Sequence, residues 1–361
     1  MDLTAIVVTK NEEANIGPCL EACMRSLDDA LCKGSISTAE IFVVDSASVD
    51  HTVQIVEKYP VSIIRLSSLA PLSASAGRHV GLKHARGRRI LYVDGDFELS
   101  PPWLAEAIQC LDSDSKLAAV SGRIEERYED STILAKRLME AVGKHRAEPE
   151  AIPIGLYRRD ALDATGGFHP FLRGGEDREL ARRLRQAGYS LKGLDIPMGL
   201  HRRVPRGLKL DYVSFLKSAF WWSFGDGQAF RLGHRDQGSV GLGKPLRYLN
   251  LEHLRNYALF FLVATVVLTN VACATRNLWF VALGVDAMAI VMARYLSHRA
   301  GLTWRETIFV FQGIPYSTVR HVAFLLGAMR KPRDATEYPR TEQVTKEPGL
   351  PISLALKQQR N

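Results

Sequence analysis

The first 125 residues alternate short β-rich apolar runs with stretches of helical period, the pattern of an open α/β sheet. Leu3–Thr9 reads as a strand and Asn15–Ala30 as a helix. Glu40–Val44 is a second strand, followed by a helix over Thr52–Tyr59 that Asp50 is placed to cap. Val61–Leu66 reads as a third strand, Ser73–Ala85 as a helix closed by Gly87, and Ile90–Val93 as a fourth strand. Pro101 and Pro102 open the next helix, because the first-turn N–H lacks a helical partner in any case. Further on, Leu180, Ala181, Leu184 and Ala187 recur at helical spacing, with Glu176 and Asp177 ahead of them and Gly188 at the end. No internal repeat is visible.

The C-terminal third has a different texture. Asn256–Thr275 is twenty residues without a charge, long enough to span a bilayer core. Asn277–Ala293 is a second apolar stretch, set off by Arg276 and interrupted by Asp286. An acid inside a span costs about 2.5–3.5 kcal/mol on insertion scales, so Asp286 is expected to be protonated, paired or near the interface. Arg247 and Arg255 precede the first stretch, and Arg294, His298, Arg299 and Arg305 follow the second, as the positive-inside rule expects of two spans. Thr307–Val319, thirteen uncharged residues, reads as an interfacial helix rather than a third span. A buried helical hairpin in a soluble domain is the competing reading. The tail from Lys331 is polar and proline-bearing and reads as loose. The expected division is a catalytic domain over 1–235 and a membrane-associated helical region over 236–330, followed by a flexible tail over 331–361. Within the helical region, spans are expected at about 256–275 and 277–296 and an interfacial helix at about 304–329.

Charge supports that division. The formal net charge of +8 comes from 47 Lys+Arg against 39 Asp+Glu. Residues 1–200 hold 25 basic and 29 acidic side chains, which leaves 22 and 10, net +12, for residues 201–361. Basic charge beside apolar runs points to an anionic membrane surface ahead of a nucleic acid, so no nucleic-acid partner is expected. A charged fraction of 24% and an apolar fraction of 46% exclude collagen-like and wholly disordered chains. Five scattered cysteines exclude a disulfide scaffold. Cys19 and Cys23 lie four apart on a predicted helix, without the His or second pair that a zinc site needs. The opening Met1-Asp2-Leu3-Thr4 has no basic n-region, so the first domain is expected in the cytosol with its cysteines reduced.

Candidate chemistry collects at the predicted strand ends, where open α/β sheets bind ligands. The first strand runs into Thr9-Lys10-Asn11-Glu12, the second into Asp45-Ser46-Ala47-Ser48, and the fourth into Asp94-Gly95-Asp96. Neither G-x-G-x-x-G nor a Walker A string occurs. Asp94 and Asp96 could hold Mg²⁺ or Mn²⁺ against a diphosphate, since both ions take oxygen ligands; a solvated Asp-Gly turn is the plainer alternative. Asp45 could accept from a ring N–H of a base, or form an Asx-turn with Ser46, Ser48 and Asp50 nearby. Arg78 could neutralise phosphate or stack on a base, while Arg86, Arg88 and Arg89 read as a solvated face. Asp177 at the start of a helix could serve as a general base or simply favour the helix dipole. Trp221-Trp222 reads as interfacial or core packing before a sugar platform.

Taken in order, these strings resemble the family-two glycosyltransferases. The resemblance rests on Ile6-Val7-Val8-Thr9-Lys10-Asn11-Glu12-Glu13, Val43-Val44-Asp45-Ser46-Ala47-Ser48-Val49-Asp50-His51-Thr52 and Ala76-Gly77-Arg78-His79-Val80-Gly81. It continues through Tyr92-Val93-Asp94-Gly95-Asp96 and Thr165-Gly166-Gly167-Phe168 to Gly174-Gly175-Glu176-Asp177. It implies a GT-A fold, a Rossmann-like mixed sheet, and inverting transfer of a sugar from a nucleotide diphosphate. By resemblance Asp177 is the base, with Glu176 orienting the acceptor or the loop. Asp96 is the direct metal ligand, joined by His201, and Asp94 meets the ribose or a metal-bound water. Asp45 reads the base, and Thr9, Asn11, Glu12 and Arg78 complete the donor site. Processive members carry Q-x-x-R-W after the base; the string is missing here, which implies addition of a single sugar.

The expected protein is therefore a membrane-anchored, metal-dependent glycosyltransferase. Its acceptor is expected to be lipid-linked or membrane-proximal, and its catalytic domain to lie on the cytoplasmic side. A non-catalytic membrane scaffold of the same fold, binding nucleotide or a partner enzyme, is the alternative. A soluble nucleotidyltransferase or oxidoreductase is disfavoured by the apolar spans and the missing glycine fingerprints.

Overall fold

The computed structural model describes residues 1–128, 149–203, 212–235 and 322–346, with isolated positions between 266 and 320. Its strands are β1 (Leu3–Thr9), β2 (Ala39–Asp45), β3 (Ser62–Arg65), β4 (Arg89–Asp94), β5 (Phe97–Leu99), β6 (Leu117–Tyr128), β7 (Gly155–Arg158), β8 (Ser190–Arg203) and β9 (Gln343–Lys346). They form one mixed sheet in the order β5-β8-β6-β7-β4-β1-β2-β3-β9. The helices are α1 (Ile16–Cys32), α2 (Thr52–Val56), α3 (Ala74–His84), α4 (Pro101–Ser113), α5 (Arg159–Thr165), α6 (Glu176–Gln186) and α7 (Tyr212–Arg235).

The centre of the sheet is parallel: β1 pairs with β2 and β4, and β2 with β3. Helices cover both faces there, so β1 and β2 are buried along their whole length and read as continuous apolar runs. Successive side chains still part to opposite sides. Leu3, Ala5 and Val7 join a core with Leu20 and Leu27 of α1 and Trp103 and Ile108 of α4. Ile6 and Val8 join another with Val80 of α3, Phe168, and Leu180 of α6.

The parallel register sets Thr9 beside Asp45, and Val8 beside Asp94. The polar residues that end β1, β2 and β4 thus meet at one edge. The predicted helix from Thr52 stops at Val56 instead of Tyr59; Asp50 Oδ1 accepts from the Thr52 backbone N–H at 3.0 Å. Arg89 departs from the expected solvated face. It is 3% exposed and its guanidinium is paired with Asp112.

The sheet then turns mixed. β7 is antiparallel to β4 and β6, and β5 is antiparallel to β8. β6 and β8 run parallel with register shifts near Pro197. The β5–β8 register brings Phe97 opposite His201.

The expectation of a loose tail from Lys331 is corrected over 331–346. β9 pairs antiparallel with β3, and Tyr338, 4% exposed, donates its hydroxyl to Pro71 O at 3.0 Å. A polar stretch can be ordered by edge pairing and one buried ring.

The expected spans lie almost wholly outside the described residues. Among those described, no helix is long and apolar enough to cross a membrane. Asp286 has a partner: Asn270 Nδ2 donates to it at 2.7 Å.

Candidate active site

Asp94 ends β4, and Gly95 turns the chain so that Asp96 precedes β5. A Cβ on Gly95 would stand 2.8 Å from Thr9 Oγ1, so the turn presses on the end of β1. His201, on the neighbouring strand β8, is 5% exposed. Its Nε2 is 3.0 Å from Asp96 Oδ1 and its Nδ1 is 3.4 Å from Glu126 Oε1. One ligand atom from each of Asp94, Asp96 and His201 lies within 4.8 Å of the others. Two carboxylates and an imidazole fit a divalent cation, and the nitrogen favours Mn²⁺ over Mg²⁺. Glu126, on the far side of the imidazole, is a partner that sequence reasoning missed; it orients a ring whose other nitrogen faces Asp96.

Arg78, on α3, connects this cluster to the acids at the start of α6. Its Nη2 donates to Asp94 Oδ1 at 2.7 Å and its Nη1 to Glu176 Oε1 at 3.2 Å, with the side chain 3% exposed. Burial opposes its charge, but the nearby carboxylates of Asp94, Glu176 and Asp177 outweigh that and hold the guanidinium firmly protonated. The guanidinium also lies 5.1 Å from the Phe168 ring centroid. Phe168 is clamped in turn: its carbonyl accepts from His79 Nδ1 at 3.1 Å, and its ring meets Tyr92 edge-on.

Glu176 behaves differently from an exposed acid. Burial first, and the Asp177 charge second, push its carboxyl up to about 7, while Arg78 pulls it back. Gly175, in the left-handed region at φ +66, turns the chain into α6, and Asp177 follows in the first turn. Asp177 Oδ1 accepts from the Arg178 backbone N–H at 2.8 Å. Glu176 and Asp177 line a cleft of about 690 Å³ together with Lys10, Arg173, Trp221, Trp222 and Arg320. Trp221 and Trp222 are therefore not core: they are 44% and 54% exposed, and Arg173 lies over Trp221 at 4.7 Å.

The donor-side residues divide. Thr9 Oγ1 is buried beside Gly95 and has no hydrogen-bond partner among the described residues. Asp45, 1% exposed, is held by the Ser48 backbone N–H at 3.1 Å and by Arg65 Nε at 3.5 Å, so the turn alternative is realised at this residue. Asn11 and Glu12 serve the loop. Asn11 Oδ1 accepts from Val49 N–H at 2.9 Å, with φ +54, and Glu12 N–H donates to Thr52 Oγ1 at 2.7 Å while its carboxylate takes Asn15. They tie the β1 and β2 ends together.

Residues 4–175 match the family described as Glycosyl transferase family 2. The matched stretch runs from β1 to the glycine turn before α6, on a mixed sheet of GT-A type. Among curated relatives, it is 26% identical over 217 residues to glycosyltransferase AglE of Haloferax volcanii, covering 57% of this chain and 68% of AglE. It is 29% identical over 187 residues to poly(ribitol-phosphate) beta-N-acetylglucosaminyltransferase TarS of Staphylococcus aureus, covering 47% of this chain but only 30% of TarS. Among solved structures, it resembles mannosyltransferase PcManGT of Pyrobaculum calidifontis, determined in complex with GDP-Man and Mn²⁺. The TM-score is 0.52 at 20% identity, covering 90% of this chain and 86% of that one, a likeness of fold.

Proposed function

We propose that the protein transfers a single sugar from a nucleotide-diphosphate sugar to a hydroxyl of a lipid-linked or membrane-proximal saccharide, with inversion at the anomeric carbon. The observation that carries this reading is the polar path from Asp94, Asp96 and His201 through buried Arg78 to Glu176 and Asp177 at the cleft. It supports a reading in which a cation-binding cluster and a carboxylate base stand on two sides of one arginine.

Asp96 and His201, with Asp94 beside them, would hold Mn²⁺ or Mg²⁺. When bound, the ion would neutralise charge on the departing diphosphate. Thr9, Asp45 and Arg78 would receive the donor, with Asn11 and Glu12 bracing the loops that carry them. The acceptor hydroxyl enters from the cleft side. Its oxygen attacks the anomeric carbon, the bond from that carbon to the diphosphate oxygen breaks, and the electron pair leaves on the nucleoside diphosphate. The hydroxyl proton passes to the Asp177 carboxylate. Glu176 holds Arg78 and orients the loop. The missing Q-x-x-R-W string supports one addition per acceptor.

Two spans with a cytoplasmic catalytic domain complete the reading. It draws on the net +12 of residues 201–361 and on exposed Leu283, Met288, Ile290 and Val291. The Asn270–Asp286 bond supplies the partner an intramembrane acid needs.

Asp177→Asn separates binding from chemistry. In detergent-solubilised protein the variant should bind nucleotide and Mn²⁺ as the parent does, while transfer falls roughly 10²–10⁴-fold. Asp96→Ala should instead lose Mn²⁺-dependent nucleotide binding. Transfer surviving Asp177→Asn would show that the proton goes elsewhere, since asparagine also starts a helix well.

A further inference from the structure

The helix α7 carries Gly225-Asp226-Gly227 in its interior. A glycine inside a helix costs about 1 kcal/mol relative to alanine, so two of them flanking an acid call for a cause. The cause is backbone contact on both sides. A Cβ on Gly225 would stand 2.3 Å from Gly174 N, and one on Gly174 2.3 Å from Trp222 O. On the other side, a Cβ on Gly227 would stand 2.1 Å from Phe324 O, and one on Gly327 2.0 Å from Phe224 O. The α7 main chain therefore touches both the loop that leads to Asp177 and the helix over 322–329.

Asp226 sits at the first of these contacts. Its Oδ1 accepts from Arg178 Nη1 at 3.1 Å, with its side chain 17% exposed against 56% for Arg178. The same oxygen lies 2.5 Å from where a Cβ on Gly175 would stand. Arg178 in turn presents its backbone N–H to Asp177 Oδ1 at 2.8 Å. We propose that Asp226 is a positioning residue: acting through Arg178 and the Gly174-Gly175 backbone, it sets where the Asp177 carboxylate stands and ties that carboxylate to the C-terminal helix. The proposal rests on the reading of Asp177 as the base. Burial raises the Asp226 carboxyl, and Arg178 and then Arg320 pull it back, so its ionised form depends on the arginine it holds. Arg320, just ahead of the 322–329 helix, adds a second tie by donating to Ser223 Oγ at 3.0 Å.

The test is a double-mutant cycle on the full chain in detergent, reading transfer kcat, donor affinity and thermal unfolding. Asp226→Asn keeps the size of the side chain but not the charge. It should slow kcat about 10- to 100-fold, the scale of a misplaced catalytic group, and leave nucleotide affinity within about twofold, because only the base side is disturbed. Arg178→Gln reaches the same contact from its exposed end and should slow kcat to a similar extent; it decides the matter if Asp226→Asn does not fold. The double variant should be no slower than the worse single one, since both remove one interaction. Unchanged kcat, losses that multiply, or nucleotide affinity falling in step with kcat would overturn the proposal. Asp177→Asn run alongside keeps the two readings apart. If it retains transfer, the base assignment has failed; if it loses transfer while Asp226→Asn keeps the parental kcat, only the positioning role has.

Discussion

Arg78 shows how much one side chain can carry here. Its guanidinium is shared between Asp94 and Glu176, and those carboxylates tolerate burial because the cation is between them. Arg78→Met should cost about 3–5 kcal/mol, the penalty for stranding a buried ion partner, while Arg78→Lys, a point charge without the fork, should keep stability better than donor affinity. Urea unfolding and nucleotide titration on the same variants check this. His79, on the next position of α3, gives a pH signature. Burial first, and Lys83 second, lower its imidazole to about 4 from 6.5. The unfolded chain takes up its proton as pH falls below 6.5 while the folded chain waits until near 4, so stability is lost across that window, by about 3 kcal/mol at most. Glu176 works in the opposite sense: raised from 4.5 to about 7, it binds a proton more readily in the fold, so its contribution falls as pH rises through that range. Going from pH 7 to pH 5, the urea midpoint of His79→Gln should therefore rise relative to the parent's, and that of Glu176→Gln should fall relative to it. An unchanged pH dependence in His79→Gln would mean that its ring is not held neutral.

At the scale of elements, α3 is pressed against β1 through glycine. A Cβ on Gly81 would stand 2.4 Å from Ile6 Cγ2, which is itself locked in the core. Gly81→Val should cost about 1–3 kcal/mol by overpacking. Because α3 also carries Arg78, weaker nucleotide binding should accompany the lower melting temperature; a variant that melts early yet binds normally would show that α3 can shift without moving its arginine. The four central strands were legible in the chain because burial on both faces makes them apolar throughout. β6 and β8 were not. Residues 121–127 of β6 mix Gly, Arg and Glu, and β8 is broken by Gly193, Pro197 and Gly199. Their strand character comes from pairing with each other, which no local period announces.

At the scale of the whole molecule, the chain closes on itself through its C-terminal segment. Tyr338 packs edge-on against His79 and Phe171, and β9 extends the sheet beyond β3. Tyr338→Ala should lower the unfolding free energy by about 3 kcal/mol, as removal of a buried ring does, and Tyr338→Phe by only about 1 kcal/mol for the lost hydroxyl bond. Denaturant unfolding of both variants checks the pair, and equal, negligible effects would return the segment to the loose tail that its composition suggests.

Sequence by itself determined the α/β order and which acids stand at the strand ends. It also marked the glycine turn before Asp177, because hydrophobic period and turn chemistry are local properties of a chain. Only the tertiary structure decided who meets whom. His201 reaches Asp96 across 105 positions, Arg78 reaches Glu176 across 98, and Arg178 reaches Asp226 across 48. It also decided that Asn11, Glu12 and part of Asp45 serve their loops, that Arg89 is buried, and that Trp221 and Trp222 face a cleft. Contacts of that span follow from strand register and helix packing, and these are settled by burying many distant side chains at once.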